Sequence, residues 1–138
     1  REYKSGKIQD RFKEQVRWAH EIVVVHPIWW AMVPAIMKNW VDMTFWMRFA
    51  YRYTKGGDVE KLLVGKTAKI FATSGGPSWY HLIPVSPIRA FWGICVFNFS
   101  GVDVTDVQIC GNLDRHKGEK AEVRFNRFLK KIKASGMK

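Results

Sequence analysis

The chain has 138 residues, long enough to bury a core of its own. At 47% hydrophobic and 25% charged it is not of the disordered class, and two cysteines, Cys95 and Cys110, are too few for a disulfide framework or a metal cluster. The formal charge of +11 brings nucleic acid into question, but the excess sits at the two ends: residues 1–20 carry six basic and three acidic groups, residues 114–138 nine and three, and the middle is nearly balanced.

In chain order, residues 7–19 place Ile8, Phe12, Val16 and Ala19 at helical spacing with charges between them. Residues 21–26 then form a β-branched run ending at Pro27, the pattern of a parallel strand covered on both faces. Pro34 opens a second helix whose stripe is Val33, Ile36, Met37, Trp40 and Val41. Residues 45–60 are aromatic and then Gly-rich, and read as an ordered loop. Residues 67–73 form a second strand, followed at once by Ser74-Gly75-Gly76-Pro77. A helical stretch is expected over 88–97, a third strand around 102–110, and a last helix over about 117–133. This α-β-α-β-α-β-α order makes one α/β domain over 1–138, with a parallel sheet flanked by helices. Three strands are few for such a sheet, so the first strand or strands are expected to lie outside this sequence.

Both terminal helices read as amphipathic with solvated basic faces, an anionic cofactor or an acidic membrane surface being the other way to use the charge. Nucleic-acid binding calls for basic residues interleaved with exposed aromatics. Around Trp29 and Trp30, no Lys or Arg occurs between Glu21 and Lys38, so no nucleic-acid partner is expected. The longest charge-free stretch, residues 22–37, has 16 residues and is interrupted by Pro27 and Pro34. A membrane-spanning helix needs roughly 20 apolar residues, so no span is expected. Residues 1–10 are polar and read as no secretory leader, and both cysteines fall in apolar surroundings as buried thiols, which fits a reducing cytoplasm.

Ligands of open parallel sheets bind beyond the carboxyl ends of the strands. Two segments stand there. Pro27-Ile28-Trp29-Trp30 puts adjacent indoles directly after a strand, either as core packing or as a wall for a planar ring. Thr73-Ser74-Gly75-Gly76-Pro77 is by itself a turn, though paired glycines also let backbone N–H groups approach a ligand. Five of the seven tryptophans lie between residues 29 and 79, a density that suggests a pocket or a partner surface as well as a core. There is no G-x-G-x-x-G, no P-loop and no hydrolase triad order.

Together, Pro27-Ile28-Trp29-Trp30, Pro34-Ala35-Ile36-Met37-Lys38-Asn39-Trp40-Val41-Asp42, Phe49-Ala50-Tyr51, Leu63-Val64-Gly65-Lys66 and Thr73-Ser74-Gly75-Gly76-Pro77 resemble the NAD(P)H:quinone oxidoreductases of flavodoxin-like fold. The likeness covers most of residues 8–110, and its first strand and phosphate-binding loop would precede Arg1. It implies a three-layer sandwich, a bound FAD or FMN, NADH or NADPH as hydride donor, a quinone-type acceptor and a homodimer. By motif, Pro27, Ile28, Trp29 and Trp30 would border the flavin ring, with Thr73, Ser74, Gly75 and Gly76 facing its N1/C2=O edge. Tyr80 stands where the family has a pocket tyrosine, and His81 is the candidate for the family's catalytic histidine, whose place is taken here by Pro84-Val85-Ser86. The alternative implied by related flavoproteins is a redox-sensing regulatory subunit of a partner such as a membrane transporter.

Overall fold

A β-branched run bounded by His20 and Pro27 leads the central sheet. The computed structural model describes residues 6–81, 86–113 and 118–136. Three strands, β1 (Glu21–Pro27), β4 (Thr67–Thr73) and β5 (Asp103–Cys110), pair in parallel in the order β1-β4-β5. Between them, β2 (Tyr51–Tyr53) and β3 (Val59–Lys61) form a small antiparallel hairpin within the segment expected as a loop. Its strands are only three residues each and mostly exposed, so hydrophobic alternation gives them no signal; pairing rests on backbone bonds and on Arg52–Glu60, a bidentate pair at 2.6 and 2.7 Å.

Helices α1 (Lys7–Trp18), α2 (Ala35–Thr44) and α3 (Pro87–Arg89, continued as a π-helix over Ala90–Asn98) share one core with Ile22, Val24, Ala68 and Ile70. On the other face, α4 (Glu119–Gly136) seats Phe128 against Phe71 and Cys110. Helices thus lie on both faces of a parallel sheet, as expected. Lys117, the expected start of the last helix, is outside the described residues. Lys66, after the positive-φ Gly65, donates to the carbonyls of Arg17 (2.9 Å) and Ala19 (2.6 Å), placing a cation at the carboxyl end of α1.

Two expectations change. Burial along β1 alternates: Ile22, Val24 and His26 are inside, while Val23 and Val25 are 53% and 65% exposed. Among the described residues β1 is an edge strand, and α4 lies over β4 and β5 and leaves that side of β1 uncovered. The Cys95 thiol, expected inside, is exposed, because the π-helix turns Ile94 and Cys95 outward while Trp92, Val96 and Phe97 face the core. An i→i+5 winding brings residues five apart together, and Trp92 and Phe97 stack at 5.3 Å with 19° between their planes.

Gly101 joins this helix to β5 at φ +92°, and a Cβ there would stand 2.9 Å from Val64 Cγ2 and 3.2 Å from the Val64 backbone N. Gly101→Ala should therefore cost about 2 kcal/mol or more, from left-handed strain plus overpacking, read as a shift in the urea unfolding midpoint. A cost near zero would mean that the turn relaxes freely.

Candidate functional site

The register places Pro27, Thr73 and Cys110 side by side at the carboxyl edge of the sheet. The loops expected to act together leave from these ends and are bonded to each other: the Ile28 N–H donates to Thr73 O at 2.7 Å. The second loop is tied to the third strand, with Ser74 N–H on Cys110 O (2.8 Å), Asn112 N–H on Gly76 O (2.6 Å) and Leu113 N–H on Ser74 O (3.2 Å). Within it, Ser74 Oγ accepts the Gly76 N–H at 3.1 Å, a side-chain turn that closes the bend.

The first loop is a tight hairpin. Trp29 and Met32 exchange both backbone hydrogen bonds, 3.0 and 2.9 Å, around Trp30 (φ 51°) and Ala31 (φ 61°). Positive φ at both central residues is a type I′ turn, which normally takes Asn-Gly. Non-glycine residues there carry about 1–2 kcal/mol of strain each. The turn, closed by these bonds, leaves the Trp30 side chain 99% exposed and Trp29 60% exposed. Of the two readings of the paired indoles, core packing is excluded. Trp79, on the 3₁₀ turn Ser78–His81, is 65% exposed at the same edge.

Tyr80 and His81 part company. Tyr80 lies at the surface with its ring edge-on to Trp79 at 6.2 Å. His81 is 3% exposed, edge-on behind Tyr80 at 5.4 Å, and neither ring nitrogen finds a hydrogen-bond partner among the described residues. Burial, and then the Arg89 guanidinium, push its pKa below the ordinary value, keeping the ring neutral. Arg89 Nε is bonded to His81 O at 3.0 Å. Pro84 and Val85 lie outside the described residues.

His26, at the end of β1, supports the first loop. Trp92 Nε1–H donates to His26 Nε2 at 2.9 Å, so Nδ1 carries the proton and donates to Pro27 O at 2.8 Å. The signal was strand parity: His26 shares the inward face with Ile22 and Val24, where an imidazole needs a partner. Burial lowers its pKa, outweighing the bond to Pro27. Above pH 6.5 the ring is neutral folded and unfolded; as pH falls below 6.5 the unfolded chain takes the proton first, and stability is lost until the folded ring also titrates. Unfolding midpoints should fall from pH 7.5 to 5.5, and less so in His26→Gln, which keeps an acceptor without a titrating group. An equal fall in both proteins would assign the loss elsewhere.

A parallel sheet with helices on both faces and two coupled loops at its carboxyl edge defines an open α/β protein, in which ligands generally bind beyond that edge. The chain belongs to the flavodoxin-like fold family, whose model matches residues 2–135. It is 30% identical to mouse ribosyldihydronicotinamide dehydrogenase [quinone] across 95% of this chain and 59% of that protein. It is also 29% identical to the FMN-dependent NADH:quinone oxidoreductase 2 of Listeria innocua, across 80% and 52% respectively. The structure of an NAD(P)H:quinone oxidoreductase from Methanothermobacter marburgensis superposes with a TM-score of 0.76 at 19% identity, covering 91% of this chain and 64% of that one. The chain thus spans little more than half the length of these two sequence relatives.

Proposed function

We propose that the protein is an NAD(P)H:quinone oxidoreductase that works through a flavin held at the carboxyl edge of the sheet. The observation that carries the reading is the Ile28 N–H bond to Thr73 O. It locks the Trp29–Trp30 hairpin to the Ser74–Gly76 turn, so that an apolar wall and a backbone-lined edge converge. Relatives named for quinone reduction with FMN or a dihydronicotinamide support it.

The residues present fit a flavin ring. Pro27, Ile28, Trp29 and Trp30 would border its plane, and the main chain of Thr73, Ser74, Gly75 and Gly76 would line its polar edge. FMN is favoured over FAD by the Listeria relative's name; the donor is NADH or NADPH. Bound there, the flavin would supply hydride acceptance from the nicotinamide and hydride donation to a quinone. The chain's own contribution is to present flat apolar surface that the turn already leaves exposed, and to donate a hydrogen bond from the Tyr80 hydroxyl where negative charge develops. Tyr80 would be the catalytic side chain; His81, buried behind it, would be a positioning residue.

Two further features belong to this reading. Met47 and Phe99, 49% and 36% exposed on one aromatic recess, and Tyr53, 57% exposed and edge-on to the recess residue Tyr51, support a homodimer. Among the described residues no helix is long and apolar enough to cross a membrane, which is compatible with the cytoplasmic setting proposed.

The test is steady-state oxidation of NADH and NADPH by flavin-loaded protein with a benzoquinone or naphthoquinone acceptor. Parallel double-reciprocal lines are expected, because donor and acceptor use one face in turn. No quinone-dependent oxidation at full flavin occupancy would overturn the proposal.

A further inference from the structure

Arg89 stands in the first turn of α3, the end of a helix where the backbone dipole disfavours a cation. Local energetics therefore do not explain it, and its partners lie elsewhere in the fold. Its Nε donates to His81 O at 3.0 Å and its Nη2 to Val107 O at 3.2 Å. One guanidinium thus joins two segments far apart in sequence, the Ser78–His81 turn and β5. Arginine suits this bridge, because its N–H donors leave one rigid plane in a fixed fork and reach two carbonyls without a choice of rotamer for each.

The two ends of the bridge differ in firmness. In β5, Val107 is paired with Ile70 of β4, which is wholly buried. The turn has no strand ladder. Its Tyr80 N–H reaches back to Pro77 O at 3.2 Å, and the Tyr80 ring meets Trp79 edge-on at 6.2 Å and His81 at 5.4 Å. Trp79 is mostly exposed and gives weak support, whereas His81 is buried. Tyr80 is therefore placed from its inner side, by the residue whose main chain Arg89 holds. Burial, and then this same guanidinium, lower the His81 pKa, which puts the Arg89 charge within reach of the ring behind Tyr80.

We propose that Arg89 is a positioning residue for flavin reduction, fixing the Ser78–His81 turn against β5 so that the Tyr80 hydroxyl keeps its place. The role rests on the assignment of Tyr80 as the catalytic side chain, and Arg89 acts through it. Such support matters because misplacing a reacting group by about 1 Å can cost up to roughly a hundredfold in rate.

Arg89→Met and Arg89→Lys, each alone and combined with Tyr80→Phe, test this in the FMN-loaded full chain by stopped-flow flavin reduction. With Tyr80 present, Arg89→Met should slow reduction roughly tenfold, about 1.4 kcal/mol, and in the Tyr80→Phe background it should add hardly any further loss. Arg89→Lys keeps the charge and can still reach a carbonyl, so its loss should be of the same kind and smaller. It also keeps the test standing should Arg89→Met fail to fold. A second readout needs no flavin. Amide hydrogen exchange in the Ser78–His81 turn should rise in both variants, while the Trp29–Met32 hairpin, whose bonds do not involve Arg89, stays as protected as before. No slowing, equal slowing with and without Tyr80→Phe, or unchanged exchange in the turn would each overturn the role of Arg89. Tyr80→Phe alone without effect on reduction would instead sink the assignment of Tyr80, and the exchange readout tells that failure apart from a failure of the bridge.

Discussion

Replacing Trp92 with alanine should lower the unfolding free energy by about 3–5 kcal/mol, the upper range for a buried aromatic. Trp92 is wholly inaccessible, stacks on Phe97, meets Phe91 edge-on at 4.9 Å, and donates to His26. Alanine removes the packing and the donor together. Trp92→Phe separates them: it keeps most of the ring contact but leaves His26 Nε2 unpaired, at a cost of about 1–3 kcal/mol. Urea denaturation reads both. The phenylalanine variant should also bind flavin more weakly, because His26 holds Pro27 at the base of the Trp29–Trp30 hairpin. A cost below about 1 kcal/mol for alanine would show that the cavity collapses without penalty.

Replacing Tyr80 with phenylalanine should slow flavin reduction by roughly tenfold to a hundredfold, equivalent to about 1.4–2.8 kcal/mol of transition-state stabilisation. The substitution removes one hydroxyl and preserves the ring that packs edge-on against Trp79 and His81. Flavin content and stability should therefore hardly change. Stopped-flow absorbance at saturating NADH or NADPH isolates the step, and flavin fluorescence checks occupancy. A reduction rate unchanged at full occupancy would remove Tyr80 from the mechanism. A loss of flavin equal to the loss of rate would make its role one of binding.

The comparison of these two residues shows where local signals end. The placement of Tyr80 after a strand and a Ser-Gly-Gly-Pro turn was legible in neighbouring residues, whereas the role proposed for it came from the family resemblance alone. Also legible were the element order, the parallel sheet and the two loops, since β-branched runs, helical spacing and Pro or Gly stops act over short stretches of chain. Trp92 and His26 were not legible as a pair, because their bond joins residues 66 apart and neither side chain announces its partner. The π winding of residues 90–98 was not legible either: the segment is apolar almost throughout and its pattern marks no turn length, while the stack of Trp92 on Phe97 joins residues five apart. The sequence determined by itself that two indoles follow the first strand. That they stand in solvent was decided by the backbone bonds between Trp29 and Met32 and between Ile28 and Thr73, which hold Trp30 and Ala31 at positive φ against their own preference. Conformations that local energetics disfavour exist only where tertiary contacts enforce them.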